Sequence, residues 1–300
     1  AWFKNETKNM SKRQIAQELE CNFNSSGETV LQAEDMEWTL SCVSEPVYKT
    51  GFDRNFWIWE KYQDDSKYLL VADVARGDGA DYSVFHVIKL ATMEIVAEYQ
   101  GKPTLDHYSE ILFSAGKEYG NCLLVVENNG IGISVLEKLI NKEYPNLYYS
   151  IKGSHEYVEQ HKADYVSNSV PGFTNSSKTR PLIVAKMEEY IRNRLITIRS
   201  SRLFHEFKTF IWHNGRPQAM RSYHDDLVMS LSIACWVRDT AIEVDQRDVA
   251  YKKAMMGGMF LNSTKMNTTI KGQDGYSQTF NEKYREEINQ TKDFLWIYKG

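Results

Sequence analysis

Two short apolar runs that each end in a carboxylate constrain the fold of this chain more than any other feature. The runs are Tyr68–Asp73 (YLLVAD) and Cys122–Glu127 (CLLVVE). Segments that are apolar on both faces are typical of the central strands of a sheet. A carboxylate at the end of a buried strand is costly unless a cation lies beside it. The sequence therefore predicts two central strands whose last side chains, Asp73 and Glu127, need a cationic partner.

A third carboxylate opens the strongest helical pattern, which we predict over His224–Asp239. Asp226 shares its helix face with Ser230 and Ile233, which are suited to packing on a sheet. Capping of the helix by an acidic group, favoured by about 0.3–1 kcal/mol, would explain a single aspartate. Taken with Asp73 and Glu127, however, Asp226 completes a plausible cage for a divalent metal. Such a constellation is typical of a metal-dependent phosphodiester nuclease.

Neighbouring polar residues have alternative roles. Asp225 faces another direction than Asp226, and either holds a second ion or caps the helix. Asp78 and Asp81 lie in a glycine-rich turn after the first strand, where we expect them to shape the loop beside the metal. His224 is predicted to position other groups rather than bind metal, because hard cations prefer oxygen ligands.

A strand that ends in an acidic residue also occurs in P-loop ATPases. That class is excluded for this chain, because the sequence contains no G-x-x-x-x-G-K-[ST] motif. The turn Arg76–Ala80 does not match a dinucleotide-binding fingerprint either.

The remaining pattern predicts an alternation of strands and helices between a lead-in and a tail. We divide the chain into a helical and irregular lead-in (1–60, with a helix in Lys4–Glu20), a regular domain (61–249) and a tail (250–300). Strands are predicted at Lys67–Ala75, Tyr82–Leu90, Met93–Gln100, Asn121–Glu127, Leu147–Ile151 and Leu195–Ile198. Helices are predicted at Leu105–Tyr119, from Gly130 to about Asn141 and at Lys178–Arg192, and a loose hairpin at Phe204–Trp212 and Gln218–Arg221 around Asn214-Gly215.

Charge is distributed unevenly. The formal net charge is -4, which argues against a uniformly basic nucleic-acid surface. Between positions 178 and 221, however, ten lysines and arginines stand against three glutamates. A solvated surface is the simplest explanation, but beside an acidic centre the excess favours a phosphate-tracking surface. The candidate DNA contacts are Lys152, Lys178, Arg180 and Arg221.

The four cysteines, Cys21, Cys42, Cys122 and Cys235, have no metal-binding spacing. We expect reduced thiols in a cytosolic compartment. The longest apolar runs fall short of the roughly 20 residues that span a bilayer, so no membrane partner is expected.

Three motifs together resemble the C-terminal nuclease domain of the large terminase subunit of tailed bacteriophages, particularly the T-even-type myophages. They are Val71-Ala-Asp73 with Gly77, Asp81 and Tyr82; Val126-Glu127-Asn-Asn-Gly130-Ile-Gly; and Tyr223-His-Asp-Asp-Leu-Val-Met-Ser230. The resemblance covers roughly residues 67–240. It implies an RNase H-like fold of the retroviral integrase superfamily, an α/β fold with a mixed central sheet flanked by helices.

The resemblance also implies an acidic triad at Asp73, Glu127 and Asp226, with Asp225 as an added neighbour. The expected activity is cutting of concatemeric viral double-stranded DNA with little sequence specificity during headful packaging, by two Mg²⁺ or Mn²⁺ ions. Asp73 would be the ligand that both ions share. Expected partners are the portal protein, the small terminase subunit and an N-terminal ATPase domain of the same polypeptide. The expected location is the host-cell cytoplasm, at the procapsid.

Two alternatives remain open from the sequence. Another RNase H-like DNA enzyme, such as a junction resolvase or transposase, would prefer branched or end-specific DNA. A non-catalytic DNA-gripping or portal-docking module would use the acidic cluster for structure and would not cut.

Overall fold

A mixed six-stranded sheet forms the centre of the fold in the computed structural model, which describes residues 29–77, 79, 81–153 and 156–242. Its strands are β1 (Tyr48–Thr50), β2 (Phe56–Ile58), β3 (Tyr68–Asp73), β4 (Ser83–Lys89), β5 (Glu94–Gly101) and β6 (Leu123–Val126). The strand order is β1-β2-β5-β4-β3-β6. Strands β3 and β6 run parallel, while the other neighbours are antiparallel.

Helices cover both faces of this sheet, and two smaller sheets lie beside it. The helices are α1 (Ala33–Cys42), α2 (Leu105–Glu118), α3 (Gly132–Asn141), α4 (Thr179–Arg192), α5 (Ser201–Thr209) and α6 (Asp226–Val237). One small sheet has the order β8-β7-β9, formed by β7 (Tyr149–Ile151), β8 (Tyr157–Val158) and β9 (Ser169–Pro171). The other is the hairpin of β10 (Phe210–His213) and β11 (Arg216–Ala219). Short 3₁₀ segments (Phe52–Arg54, Gln160–Tyr165) and a π-helical turn (Arg238–Ile242) complete the described part. The predicted α/β class with a mixed sheet flanked by helices is confirmed.

Strand β3 is buried on both faces, because its alternating side chains enter two separate cores. Leu69 and Val71 pack in the core that contains α4, α5 and α6. Leu70 and Ala72 pack in the core that contains α2 and α3. This placement explains why the strand is apolar throughout, as central strands between two helix layers are.

Helix α6 lies against the centre of the sheet. It is apolar around its whole circumference, from Leu227 to Val237, because it is enclosed by the sheet and by α4. The Ser230 hydroxyl donates a hydrogen bond of 2.8 Å to the carbonyl oxygen of Val71 in β3. This hydrogen bond helps to set the position of α6 along β3, and with it the position of Asp226, the first residue of the helix.

Most predicted elements are present, with ends shifted by a few residues, but two differ from the prediction. Residues 201–209 form helix α5 rather than the first arm of a hairpin. Ser200 accepts a hydrogen bond from the Leu203 amide at 3.2 Å, which caps that helix. Residues 195–198 make only an isolated bridge between Thr197 and Glu94 instead of a strand. The hairpin itself is confirmed, with its turn at Asn214-Gly215 between β10 and β11.

Some predictions fall on residues that are not described. The predicted helix at 4–20, the tail at 250–300 and the side chain of Asp78 lie outside the described residues. Within the described part of the lead-in, β1 and β2 belong to the central sheet. Cys42, Cys122 and Cys235 are free thiols. Across residues 29–242, apart from the gaps stated above, the structure contains no helix with the length and apolar character that a membrane span requires.

Candidate metal centre

Asp73 and Glu127 lie side by side because they end parallel neighbouring strands. Asp73 is the last residue of β3, and Glu127 follows β6 directly. Ala72 pairs with Val126, and the Glu127 amide donates a hydrogen bond of 3.0 Å to the Ala72 carbonyl oxygen. The alternation of side chains along each strand directs Asp73 and Glu127 to the same face, that of helix α6.

Asp226 reaches this face from the first turn of α6. The Tyr82 amide, at the start of β4, donates a hydrogen bond of 3.1 Å to Asp226 Oδ2. The contact joins the helix to the loop that follows β3. Two strand ends, one loop and one helix start therefore meet at the same point of the sheet.

The pKa values show that these carboxylates are under electrostatic strain. Burial raises the pKa of Asp73 well above its usual range, and the Glu127 and Asp226 carboxylates raise it further. Burial raises the pKa of Asp226 to about 6. Burial also raises the pKa of Glu127, against the opposing effect of hydrogen bonds from Asn175 and Asn129. A cation among these groups would relieve the repulsion.

Asp81 and His224 form a second cluster with Asp226. Potential ligand atoms of these three residues all lie within 4.8 Å of one another. His224 Nδ1 is 3.6 Å from Asp81 Oδ1 and 3.9 Å from Asp226 Oδ2. The imidazole also makes an edge-to-face contact with the Tyr82 ring at 5.3 Å. His224 and Asp81, assigned supporting roles from the sequence, are thus immediate neighbours of the acidic centre.

Asp225 is paired with a cation. Its Oδ2 accepts a hydrogen bond of 3.0 Å from the Ala219 amide and forms an ion pair with Arg180. Arg180 Nε also donates to the Pro217 carbonyl oxygen at 2.9 Å. Asp225 and Arg180 therefore tie α6, α4 and the β10–β11 hairpin together. The metal-binding role of Asp225 and the DNA-binding role of Arg180 stay predictions. A metal ion at Asp225 or a phosphate at Arg180 would have to compete with this ion pair.

The other candidate DNA contacts are free surface cations. Lys152, Lys178 and Arg221 are all exposed. Lys178 lies immediately before α4, and Arg221 lies in the turn between β11 and α6. Their roles also stay predictions.

Two groups beside the carboxylates were missed in the sequence. Asn129 Nδ2 donates a hydrogen bond of 2.8 Å to Glu127 Oε1 and a second one to the Asn175 carbonyl oxygen. The Tyr108 hydroxyl of α2 donates to the backbone carbonyl oxygen of Val84 at 2.6 Å and lies 3.2 Å from the backbone carbonyl oxygen of Asp73. The Asn-Asn-Gly sequence after Glu127 was a visible signal for the first group. Nothing in the spacing of Tyr108 pointed to the second.

A buried ionic network behind the centre was also missed. Glu98 in β5 accepts hydrogen bonds of 2.8 Å from Arg202 Nε and Ser200 Oγ, and contacts His86 Nε2 at 3.2 Å. His86 Nδ1 is 3.1 Å from Ser230 Oγ, whose own proton is donated to Val71. Through His86, the network connects β4 and β5 to helix α6. The signal was a histidine and a glutamate at inward positions of otherwise apolar strands.

Comparison with known proteins assigns the fold. No family model matches this sequence. The large terminase nuclease from thermophilic phage G20c, solved with bound magnesium, superposes with a TM-score of 0.52 at 19% identity over 69% of this chain and 96% of that one. The fold is that of a large terminase nuclease. The cobalt-bound structure of the same phage protein gives the same TM-score, identity and coverage.

A second large terminase nuclease agrees with this assignment. The large terminase nuclease domain of Thermus phage P74-26 has a TM-score of 0.50 at 19% identity, over 66% of this chain and 93% of its own. Terminase nuclease domains have the RNase H-like fold, so the predicted fold class is confirmed. The comparison spans nearly the whole of each matched domain.

The residues present fit a divalent metal. Asp73, Glu127 and Asp226 offer hard oxygen donors, which Mg²⁺ and Mn²⁺ prefer. The charged groups that perturb Asp73 are all carboxylates: Glu127, Asp226 and Asp225. Asp73, buried with no cation among the charges that perturb its pKa, has the chemistry of a metal ligand rather than of a structural ion pair.

We expect Mg²⁺ or Mn²⁺ to raise the melting temperature more at about pH 8 than at about pH 5, because the ion binds deprotonated ligands. The pKa of Asp226 is raised to about 6, so its folded form holds a proton more tightly than the unfolded chain does. The metal-free protein therefore loses stability as the pH rises through that pKa, and metal restores it. Scanning fluorimetry with metal or EDTA at both pH values tests this. An equal rise in melting temperature at both pH values would contradict this prediction. So would a rise in the Asp226→Asn variant as large as that in the wild type.

Proposed function

We propose that this chain is the nuclease domain of a phage large terminase subunit, a metal-dependent endonuclease that cuts concatemeric viral double-stranded DNA during headful packaging. The observation that carries the proposal is the electrostatic coupling of buried Asp73 to Glu127 and Asp226, which stand on two strand ends and a helix start. It is supported by the likeness of the fold to terminase nucleases solved with bound metal. The Tyr223–Ser230 motif, which resembles that family, supplies Asp226 itself.

In phosphodiester hydrolysis, different residues of the chain would bind metal, orient the metal ligands and contact phosphates. Asp73, Glu127 and Asp226 would hold the divalent ions. When bound, such ions activate the attacking water and stabilise the leaving 3′ oxygen. The Tyr82 amide orients Asp226, and Asn129 orients Glu127. Exposed Lys178 and Arg221 would contact phosphates, which carry no base information, so we expect little sequence preference.

The proposed partners follow from this role. Double-stranded DNA is the substrate, and an ATPase domain of the same polypeptide, the portal protein and the small subunit would present it. The location would be the host-cell cytoplasm, at the procapsid.

We expect the purified chain to convert supercoiled plasmid into fragments of many sizes with Mg²⁺ or Mn²⁺, and to leave it intact in EDTA. Asp226→Asn should be inactive, because it removes one ligand while keeping the acceptor for the Tyr82 amide. Asp65→Asn, an exposed carboxylate elsewhere, is the matched control and should cut like the wild type.

Other outcomes favour the alternatives. Cleavage of four-way junctions or DNA ends, with intact plasmid beside them, would indicate a resolvase or transposase activity. Plasmid that stays intact with each metal, together with retained DNA binding, would favour a docking module. Either result would overturn the proposed function.

A further inference from the structure

A cavity of about 490 Å³ opens next to the acidic centre and takes no part in the chemistry proposed above. It lies between the end of β5, helix α5 and the segment before α6. Its lining consists of Gln100, Arg202, His205, Glu206, Lys208, Thr209, Tyr223 and His224. Its size is within the range of sites that bind small organic ligands. Through His224, whose imidazole lies 3.9 Å from Asp226, the cavity borders the centre directly.

Basic side chains lie along the face of α5 that lines the cavity. Arg202, His205 and Lys208 are spaced three residues apart, so they project from the same side of the helix. Arg202 is committed to Glu98 and stacks over Trp57 at 3.8 Å. His205 and Lys208 are exposed and can meet an incoming anion.

The opposite wall offers an aromatic surface. The Tyr223 side chain is 55% exposed, although it stands three residues before a helix that is buried throughout. An exposed ring beside cations is the combination that binds single-stranded nucleic acid, since bases stack on the ring and phosphates meet the cations. Gln100 adds an amide that can pair with a base edge.

The acidic member of the lining does not oppose an anion. Glu206 lies at the inner end, where its carboxyl group accepts a hydrogen bond of 3.1 Å from the Val228 amide. Burial raises the pKa of Glu206 well above its usual range, which favours the neutral form.

We propose that this cavity binds an unstacked nucleotide of the DNA strand that passes through the acidic centre, with its base on Tyr223 and its phosphate at His205 and Lys208. The identity of the ligand rests on the proposed function, because the strand must pass the centre to be cut. The cavity is the concave surface that continues from that centre. It would hold the strand in register with the carboxylates without contributing to the chemistry.

The test is the affinity of the full chain for a dye-labelled oligothymidylate, measured by fluorescence anisotropy in EDTA at low salt, where cleavage cannot occur. Tyr223→Ala should weaken binding about tenfold or more, since stacking on one aromatic side chain contributes about 1–3 kcal/mol per base. Tyr223→Phe should restore most of the affinity, because the ring is kept. Lys208→Gln should lower the slope of log affinity against log salt by about 0.7.

Tyr165→Ala is the matched control. Tyr165 is also an exposed tyrosine, at 88% exposure, but it lies in the 3₁₀ segment outside the cavity lining. It should bind the oligonucleotide like the wild type. Equal affinity of Tyr223→Ala and wild type, an equal loss in Tyr165→Ala, or no measurable binding by the wild type would each overturn the proposal.

This outcome can be separated from that of the proposed function. If the wild type leaves plasmid intact but Tyr223→Ala weakens oligonucleotide binding, the nucleotide site is supported and only the proposed nuclease activity fails. If the wild type cuts plasmid but Tyr223→Ala binds the oligonucleotide as tightly as the wild type does, the protein is a nuclease without this site.

Discussion

Asp73→Asn is expected to abolish DNA cleavage and at the same time to stabilise the metal-free protein. Loss of the proposed metal ligand should lower the cleavage rate by about a thousandfold or more, which corresponds to about 4 kcal/mol of transition-state stabilisation. In EDTA, at a pH above the raised pKa of Asp73, the same change should raise the free energy of unfolding, because a buried charge is removed. The amide oxygen can still accept the 2.8 Å hydrogen bond from the Val74 amide.

The sign of the stability effect depends on pH. The pKa of Asp73 is raised by burial and by its acidic neighbours, so its ionisation above that pKa destabilises the folded state. At low pH the aspartate is already neutral, and the gain from Asp73→Asn should disappear. Plasmid cleavage and urea unfolding in EDTA at two pH values measure both effects. An active variant, or one that is less stable than the wild type in EDTA at a pH above the raised pKa, would refute the assignment of Asp73.

Glu98→Ala is expected to lower the free energy of unfolding by about 3–5 kcal/mol, because it leaves the part-buried Arg202 guanidinium and the buried His86 imidazole without their partner. Glu98 is fully buried, with Arg202 at 2.8 Å and His86 at 3.2 Å. Burial alone would raise the pKa of Glu98, but the hydrogen bond from His86 and the charge of Arg202 outweigh it and hold the pKa below its usual value. The contribution is therefore present above the usual glutamate pKa and is lost as the pH falls below it.

Glu94→Ala is the matched control on the same strand. Glu94 pairs with Arg199 at 3.0 Å, but both side chains are 24% exposed, so its loss should cost less than about 1 kcal/mol. Urea unfolding followed by tryptophan fluorescence compares the two variants. Equal losses in the free energy of unfolding would show that the buried network stabilises the protein no more than the part-exposed pair does. Because the network reaches α6 through His86 and Ser230, we also expect Glu98→Ala to reduce cleavage.

The sequence was sufficient to predict the strands that carry Asp73 and Glu127 and the helix that begins at Asp226. The reason is physical: a fully buried strand must be apolar on both faces, and a carboxylate at its end is conspicuous against that background. Helix α5 was missed although its buried residues Leu203, Phe204 and Phe207 recur at helical rather than strand spacing. Its cap at Ser200 and its packing decided the conformation.

The sequence by itself determined which carboxylates stand at the ends of buried elements, and hence the class of site. Only the tertiary structure decided what each neighbour contacts. The sequence placed Asp225 beside Asp226 and left its role open between a second ion and a helix cap, whereas in the folded chain Asp225 pairs with Arg180, which is 45 residues away in sequence. His86 and Glu98 meet because of the antiparallel register of β4 and β5. Contacts of this kind depend on the register of the strands and on where each helix lies along them. Packing between segments that are distant in sequence determines both, and the local pattern of apolar and polar residues does not.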